Sequence, residues 1–303
     1  MKILLSGGSG YIGRNLISFL NYNFKKYKIL SISRNVNKEK NNNRVLNLKL
    51  DLNNVDNNFN IIKEFNPDVF LHLAWEGIPD YSEEISKRNY INSLKIIDLV
   101  LNKTSCQKII STGSCWEYND GNLFGKCDEG IFVQPSKPFS IYKTKIYQDV
   151  MEITKKKGVV FNWLRLFYVY GLNQKKKSII PSLINAIQNN NNININFPSN
   201  KNDFIYIDDV IKIMSKFIFN NNPPGIYNVG TGVATSICDL LRIIDFEINK
   251  NNELSKKYFD KIDISKFNQN FYACTNKLKK HFNNVDFIDI NEGIYRMLES
   301  TKL

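Results

Sequence analysis

The segment GGSGYIG at residues 7–13 constrains the fold of this chain more than any other feature. It places a glycine at every third position, directly after the apolar run KILLS and at the start of an amphipathic stretch. Residues without a Cβ allow backbone N–H groups and a helix N-terminus to approach a pyrophosphate closely. The segment therefore predicts a dinucleotide-binding turn between a strand and a helix. The alternative is a plain strand-to-helix turn.

Short apolar runs alternate with helical patterns along the first half of the chain. The runs lie at residues 2–6, 28–33, 45–50, 69–74, 108–113 and 160–166. Strands that alternate with helices indicate βαβ units and a parallel sheet covered on both faces. We predict an α/β fold, with a Rossmann-type doubly wound parallel sheet over 1–171 and a smaller C-terminal α/β substrate-binding lobe over 172–303. Some later segments, such as 202–232, are expected to return to the first domain.

The net charge of +12 suggests a nucleic-acid partner, because basic proteins attract phosphates. The lysines, however, are spread in short clusters among asparagine-rich stretches, as is typical of solvated surfaces. We therefore predict no nucleic-acid partner. No apolar run approaches the roughly 18 residues of a membrane span, and five scattered cysteines indicate reduced thiols in a cytoplasmic protein. His72 and His281 lack neighbours at metal-ligand spacing, so no metal site is expected.

A series of short motifs carries a resemblance to a known family. After the glycine turn come HLAW (72–75), STGSCWEY (111–118), RLFYVYG (165–171), NDFIYIDDV (202–210) and YNVGTG (227–232). Their order and the G-x-x-G-x-x-G spacing resemble the extended short-chain dehydrogenase/reductase superfamily, in its NAD-dependent epimerase/dehydratase branch. The resemblance covers nearly the whole chain. It implies an enzyme with a dinucleotide cofactor and a nucleotide-sugar substrate, with a homodimer as the default assembly.

The resemblance also implies which residues hold the cofactor. They are Gly7, Gly10, Tyr11, Ile12 and Gly13 in the turn, Asp51 and Leu52 beside the adenine, and Leu73, Ala74 and Trp75 on the nicotinamide side. At the end of the second predicted strand, Ser33 is followed by Arg34. A hydroxyl beside a guanidinium suits the 2′-phosphate of NADP(H), whereas an acidic residue there favours NAD(H). We therefore predict NADP(H) over NAD(H). The alternative is that Arg34 stacks on the adenine or points to solvent.

The family's catalytic set is a Ser or Thr at the end of a strand, followed by Tyr-x-x-x-Lys on a helix. Ser114 matches the first member. The lysine after Tyr142 stands three positions on, at Lys145, and the fourth position is Ile146. Residues three and four apart lie on one face of a helix. We therefore predict that Tyr142 and Lys145 form the pair, with Lys145 also orienting the cofactor ribose. The alternative is that both are ordinary surface residues.

Two departures from the family pattern favour reduction. Ser114 is followed by Cys115 and Trp116 instead of the Asp-Glu pair of the dehydratases, so elimination of water has no evident acid. A loosened lysine would impair an initial oxidation more than a reduction, which uses the phenol as an acid. We predict an NADPH-dependent reductase of a nucleotide-linked 4-keto-6-deoxy sugar, serving surface-polysaccharide synthesis. The predicted substrate-binding residues are Trp75, Cys115, Trp116, Tyr168 and Asn202.

Two other functions remain open. The first is a nucleotide-sugar 4-epimerase with tightly bound NAD, which would be purified with its cofactor and would consume no NADPH. The second is a catalytically inactive dinucleotide-binding protein, in which the irregular tyrosine-lysine spacing records lost activity. Fold resemblance does not separate these functions, because function depends on the site.

Overall fold

The structure is a computed structural model that describes residues 1–36, 41–191, 195–260, 263, 265, 269–282 and 285–300. In order, the described chain forms β1 (Lys2–Ser6), α1 (Tyr11–Asn23), β2 (Lys28–Ser33), β3 (Val45–Lys49), α2 (Phe59–Phe65), β4 (Val69–His72), α3 (Glu83–Lys103), β5 (Lys108–Ser114), β6 (Phe124–Cys127), α4 (Pro138–Lys157), β7 (Val160–Leu166), β8 (Tyr168–Tyr170), α5 (Ile179–Gln188), β9 (Lys201–Tyr206), α6 (Ile207–Phe219), β10 (Gly225–Val229), β11 (Ala234–Ser236), α7 (Ile237–Asn249), α8 (Glu253–Phe259), β12 (Asn270–Ala273), α9 (Asn276–His281) and α10 (Ile290–Glu299). Short 3-10 helices lie at Leu52–Asn58, Cys115–Glu117 and Asn119–Gly121.

The first sheet has seven strands in the order β10-β7-β5-β4-β1-β2-β3. β1 pairs in parallel with β2 on one side and with β4 on the other, and the β2–β3 and β4–β5 pairs are also parallel. The chain order therefore reverses at β1. In doubly wound sheets ligands bind at this reversal, outside the carboxyl ends of the strands. The predicted Rossmann-type α/β sheet is confirmed.

The strands of this sheet are apolar on both faces because helices cover both faces. Leu4, Phe70, Ile109 and Trp163 belong to one buried cluster that also takes in apolar residues of α3. One polar side chain has a structural role at the same sheet. The Lys108 ammonium donates to the carbonyl oxygens of Phe217 at 3.2 Å and Asn220 at 2.7 Å, at the end of α6. It thereby satisfies carbonyl groups that a helix C-terminus leaves without partners.

The chain divides into two compact units. The first comprises residues 1–120, 132–165 and 211–227, and the second comprises 121–131, 166–210 and 228–303. The chain therefore enters each unit more than once. No helix in the described part of the chain is long and apolar enough to cross a membrane.

A second sheet lies in the second unit. Its order is β11-β9-β12-β6, with β8 paired to β9. Asp203 on β9 is fully buried, and burial raises the pKa of its carboxyl group. Its oxygens accept hydrogen bonds from the backbone N–H groups of Thr231, Gly232 and Ala273. The carboxylate thus connects β9 with β12 and with the loop that follows β10. This structural role accounts for the Asp of the NDF segment.

Candidate functional site

The glycine turn between β1 and α1 is packed so tightly that side chains do not fit. Gly7 has φ +80, in the left-handed region that favours glycine. A Cβ atom on Gly7 would lie 2.8 Å from the backbone nitrogen of Ala74, and one on Gly13 would lie 2.4 Å from the Gly7 carbonyl oxygen. α1 starts at Tyr11 with no side-chain cap and no acidic residue in its first turn. Its N–H groups therefore remain available to an anion, which fits a dinucleotide pyrophosphate.

Substitution of Gly13 tests this packing. We expect Gly13→Ala to weaken NADPH and NADH binding at least about tenfold, because overpacking of about 1–3 kcal/mol must displace the backbone of the turn. Titration calorimetry with each cofactor measures the effect. The control is Gly158→Ala at the end of α4, where φ is +66 and no heavy atom lies within 4 Å of the added Cβ. That variant should lose some stability and keep its cofactor affinity. Equal affinity in Gly13→Ala and the natural protein would contradict the expectation.

A cavity of about 220 Å³ lies beside the turn, at the carboxyl ends of β1 to β4. It is lined by nine of the predicted cofactor residues, namely Gly7, Gly10, Ser33, Arg34, Asp51, Leu52, Leu73, Ala74 and Trp75. Polar residues outside the prediction also line it: Ser6, Ser9, Asn35, Asn53, Glu76, Asn89, Asn92 and Ser93. Tyr11, Ile12 and Gly13 form the first turn of α1 and are not among the lining residues. The residues present fit an NAD(P) cofactor.

At the β2 end of the cavity, one carboxylate is shared by two guanidinium groups. Glu76 accepts from Arg34 Nη1 and from Arg88 Nε, each at 2.5 Å. The Ser33 hydroxyl accepts the backbone N–H of Ser9 at 3.0 Å. Arg88 also pairs with Glu84 at 3.4 Å, so the two guanidinium groups and the two carboxylates carry no net charge together. Arg34 is thus paired beside the cavity, and its side chain is 56% exposed.

His72, at the end of β4, forms the centre of a buried hydrogen-bond chain. The Ser93 hydroxyl donates to the Asn89 carbonyl oxygen at 2.7 Å, so it accepts from His72 Nε2 at 2.9 Å. His72 Nδ1 then accepts from the Ser6 hydroxyl at 2.7 Å. Burial, with a contribution from the charge of Lys143, lowers the pKa of His72 to about 3. The imidazole is therefore neutral at physiological pH, and it links β1, β4 and α3.

The predicted catalytic Ser114 lies at the end of β5 and caps the 3-10 helix Cys115–Glu117. Its backbone N–H donates to Glu117 at 2.7 Å. Glu117 is fully buried, and it also accepts from Trp163 Nε1 at 3.1 Å and from Arg165 Nε at 2.9 Å. Sequence reasoning gave Glu117 and Arg165 no role. The position of Ser114 therefore depends on a buried ion pair beneath it.

Helix α4 presents two faces, and the predicted pair lies on the one that packs against α3. The Tyr142 hydroxyl donates to Glu83, and the Lys145 ammonium lies 5.1 Å from the ring centre of Tyr90. Both partners are on α3. Among the described residues, neither Tyr142 nor Lys145 forms a hydrogen bond or an aromatic contact with Ser114. Like Ser114 and Lys143, they are not among the residues that line the cavity. The structure does not bring the predicted pair to the sheet.

A different lysine of α4 faces the sheet, and it stands four residues after a phenylalanine. The fully buried Lys143 ammonium donates to the Thr112 carbonyl oxygen at 2.8 Å and lies 4.1 Å from the ring centre of Trp75. Burial lowers the pKa of Lys143 to about 8, although the charge of Glu117 opposes this. Phe139 packs edge-on against Trp75 at 5.3 Å. Successive residues are about 100° apart around a helix, so Tyr142 points away from the face that Lys143 occupies.

The remaining predicted substrate residues are divided between the two units. In the first unit Cys115 is buried, and the Trp116 ring lies near Tyr81 and Phe139. In the second unit the Tyr168 ring packs against Phe204 and Phe271, and Asn202 is buried on β9. Sequence reasoning missed Phe139 and Lys143. In the segment FSIYKTKIYQ, Phe139 stands four residues before Lys143. This spacing would have identified the two residues only if a residue other than tyrosine had been accepted at the first position.

Comparison with known proteins agrees with this geometry. A model of the NAD dependent epimerase/dehydratase family matches residues 3–230. The chain is 26% identical to the ADP-L-glycero-D-manno-heptose-6-epimerase of Brachyspira hyodysenteriae over 98% of this chain and 96% of that protein. It is 26% identical to the dTDP-4-dehydro-6-deoxyglucose reductase of Escherichia coli over 63% and 62%. The solved dTDP-glucose 4,6-dehydratase of Bacillus anthracis, in complex with NAD, has a TM-score of 0.83 at 18% identity and covers 100% and 96%, which shows a shared fold.

The resemblance noted in the sequence is confirmed, since the family match covers most of the chain and includes the glycine turn, the cavity residues and α4. The chain therefore belongs to the NAD dependent epimerase/dehydratase family, whose members are NAD(P)-dependent enzymes that modify nucleotide sugars.

Proposed function

We propose that this enzyme is an NADPH-dependent reductase of a nucleotide-linked 4-keto-6-deoxy sugar. The observation that carries the proposal is the Phe139–Lys143 pair on the buried face of α4. Its spacing is that of the family's Tyr-x-x-x-Lys, with phenylalanine in place of the tyrosine. The relative from Escherichia coli, named as a reductase, supports the same direction. This assignment replaces the pair Tyr142 and Lys145.

The missing hydroxyl distinguishes reduction from oxidation. An epimerase that starts by oxidising its sugar must remove a hydroxyl proton, and this requires a base near the sugar. A tyrosine phenol has a pKa of about 10, so even a tyrosine needs roughly 4 kcal/mol of stabilisation to be half ionised at pH 7. Phe139 offers no such base, and the neighbouring Tyr81 phenol, whose pKa is raised by burial, is not ionised at neutral pH. Reduction needs only a proton donor to the oxygen of the carbonyl group.

The chain's own residues have distinct roles in this proposal. When bound, the reduced nicotinamide supplies a hydride to the carbonyl carbon. The Ser114 hydroxyl donates a hydrogen bond to the carbonyl oxygen and stabilises the negative charge that develops there. The Lys143 ammonium uses one of its three donors on Thr112, and the others orient the cofactor ribose. Trp75 and Trp116 shield the site from water. Cys115, Tyr168 and Asn202 remain proposed substrate contacts.

Lysine variants test the assignment. The enzyme is offered NADPH, and separately NADH, with CDP-, dTDP- and GDP-linked 4-keto-6-deoxy sugars, and the absorbance of the reduced cofactor is followed. We expect turnover by the natural protein, a loss of about 100-fold or more in Lys143→Met, and little loss in Lys145→Met. The pair Tyr142 and Lys145 predicts the reverse. No turnover by the natural protein, with NADPH bound, would favour the inactive alternative, and co-purified NAD with epimerisation would favour the epimerase.

The preference for NADP(H) has its own test. We expect Arg34→Ala to weaken NADPH binding about tenfold, because a charge-assisted hydrogen bond to the 2′-phosphate is lost, and to leave NADH binding nearly unchanged. Glu76→Gln should strengthen NADPH binding, since it removes the carboxylate that competes for Arg34. Calorimetric dissociation constants for both cofactors measure these effects. Equal losses for NADPH and NADH in Arg34→Ala would overturn the preference.

We also propose a homodimer. Light scattering coupled to size-exclusion chromatography should give twice the chain mass of 35.2 kDa. A mass equal to that of one chain at micromolar concentration would contradict it.

A further inference from the structure

The phenylalanine on α4 leaves the proposed reduction without its usual proton donor. Phe139 lies in the first turn of α4 and is buried, so its ring occupies space without offering an exchangeable proton. Its described aromatic contacts are Trp75, Trp116 and Tyr81. The two indoles carry N–H groups that do not ionise in the physiological range. Of these three neighbours, only Tyr81 has a hydroxyl group that can act as an acid.

Tyr81 belongs to the loop between β4 and α3, which also supplies Trp75 and Glu76 to the cavity lining. Its ring centre lies 5.0 Å from that of Phe139, edge-on, and 5.6 Å from that of Trp116. The Tyr81 ring is therefore held between Phe139 and Trp116, and Trp116 lies two residues after Ser114 in the chain. Tyr81 is 38% exposed, so water reaches it. In the described part of the chain its hydroxyl has no hydrogen-bond partner.

The surroundings of Tyr81 keep its hydroxyl protonated and its ring in place. Burial raises the pKa of the phenol above an ordinary value that is already about 10, so the proton is present at neutral pH. The loop is fixed on both sides of it. The Asp80 backbone N–H donates to the Gly77 carbonyl oxygen at 2.7 Å, and the Asp80 carboxylate accepts from the Ser82 N–H at 2.9 Å. Ser82 in turn caps α3. The ring is therefore positioned by its backbone as well as by its aromatic neighbours.

Three other hydroxyl and ammonium groups of the region are less suited to give this proton. The Tyr142 hydroxyl, on the face of α4 that packs against α3, donates to Glu83. The Lys143 ammonium is bound to Thr112 and covers the Trp75 ring. The Ser114 hydroxyl accepts from the Trp116 N–H, and an aliphatic hydroxyl yields its proton only if it is replaced at once from another acid.

We propose that Tyr81 is the proton donor of this enzyme, in place of the residue that Phe139 has replaced. This inference rests on the proposed reductase function. In the balanced step, a bound reduced nicotinamide would supply a hydride, with its two electrons, to the carbonyl carbon, and the carbonyl π pair would move to oxygen. The Tyr81 O–H bond breaks, its proton passes to that oxygen, and the phenolate regains a proton from water. NADP⁺ and the sugar alcohol are the products.

Turnover measurements give the first test. On the sugar that the natural protein reduces, we expect kcat of Tyr81→Phe to fall about 100-fold, because general acids contribute roughly 10²–10⁴-fold. The double variant Tyr81→Phe/Phe139→Tyr should recover at least tenfold, since it returns a phenol to α4. Tyr295→Phe, on the half-exposed α10 tyrosine, controls for loss of any tyrosine hydroxyl. A kcat of Tyr81→Phe within threefold of the natural protein would overturn the proposal.

Proton release gives a second test that needs no turnover. The positive charge of NADP⁺ beside a phenol lowers the phenol's pKa, so binding should release a fraction of a proton at pH 8–9. Calorimetry of NADP⁺ binding in two buffers of different ionisation enthalpy measures that release. We expect it in the natural protein and in Tyr295→Phe, and its reduction in Tyr81→Phe. Equal release in all three proteins rejects Tyr81, whereas release without turnover on any sugar rejects the proposed reduction and retains Tyr81 as the titrating group.

Discussion

Replacing Arg165 with methionine is expected to lower the free energy of unfolding by about 3–5 kcal/mol, because Glu117 would be left buried without its counter-charge. Arg165 and Glu117 are 2% and 0% exposed, so water cannot take the place of the guanidinium. Urea denaturation at pH 7 measures the loss. Ser114 should also be displaced, since its N–H is bound to the same carboxylate, and turnover should fall with stability.

Two variants determine whether burial causes the effect. Arg242→Met removes an exposed partner of Asp239, and it should cost no more than about 1 kcal/mol. The double variant Glu117→Gln/Arg165→Met removes both charges and should recover part of the loss. A cost below about 1 kcal/mol for Arg165→Met alone would show that the pair is not needed for stability.

Acidification should destabilise this protein through His72. The folded pKa of about 3 lies below the ordinary value of 6.5 because the imidazole is buried. Between these two values the unfolded chain binds a proton that the folded chain does not bind, so stability is lost as pH falls from about 6.5 toward 3. At about 1.4 kcal/mol per pH unit, the full effect is on the order of 3–5 kcal/mol. Above pH 7 the two states bind the same number of protons at this group, and its contribution is constant.

Urea denaturation at several pH values from 7.5 to 4 tests this expectation. The variant His72→Asn keeps a hydrogen-bonding side chain between Ser6 and Ser93 and cannot be protonated, so its stability should decline less on acidification. The chain's other histidine supplies the control, since His281 is exposed on α9. His281→Asn should decline as the natural protein does. Parallel curves for His72→Asn and the natural protein would show that other groups cause the acid sensitivity.

The sequence was sufficient for six of the seven strands of the first sheet, because strands covered on both faces are apolar throughout. Such strands have continuous apolar runs, as in KILSIS and KIISTG, and all six predicted runs coincide with strands of the sheet. The return of part of 202–232 to the first domain was expected, but the residues that hold that segment there could not be identified from the sequence. Segment 211–227 belongs to the first unit through contacts such as that of Lys108 with carbonyl groups more than 100 residues later. Local patterns carry no information on partners so distant.

The site was predictable where backbone geometry imposes a residue type. Glycine spacing located the turn, and Ser33 and Arg34 were found at the end of β2 beside the cavity. The face of α4 that meets the sheet was not predictable, since it depends on where Pro138 begins the helix and on how α3 packs against it. Tyr81 lies in a loop, where no periodicity indicates which side chain turns inward.

The hydrogen bonds from Lys108 to the end of α6 affect how the chain folds during its synthesis on the ribosome. Lys108 precedes its acceptors by 109 to 112 residues, so at a synthesis rate of about 5–20 residues per second it waits for many seconds in a nascent chain. Until residue 229 emerges, β7 presents an unpaired edge, because its outer neighbour β10 has not been made. We therefore expect that the cofactor-binding half does not fold as a separate fragment. A chain cut at residue 171 should be captured by chaperones rather than released as a folded protein.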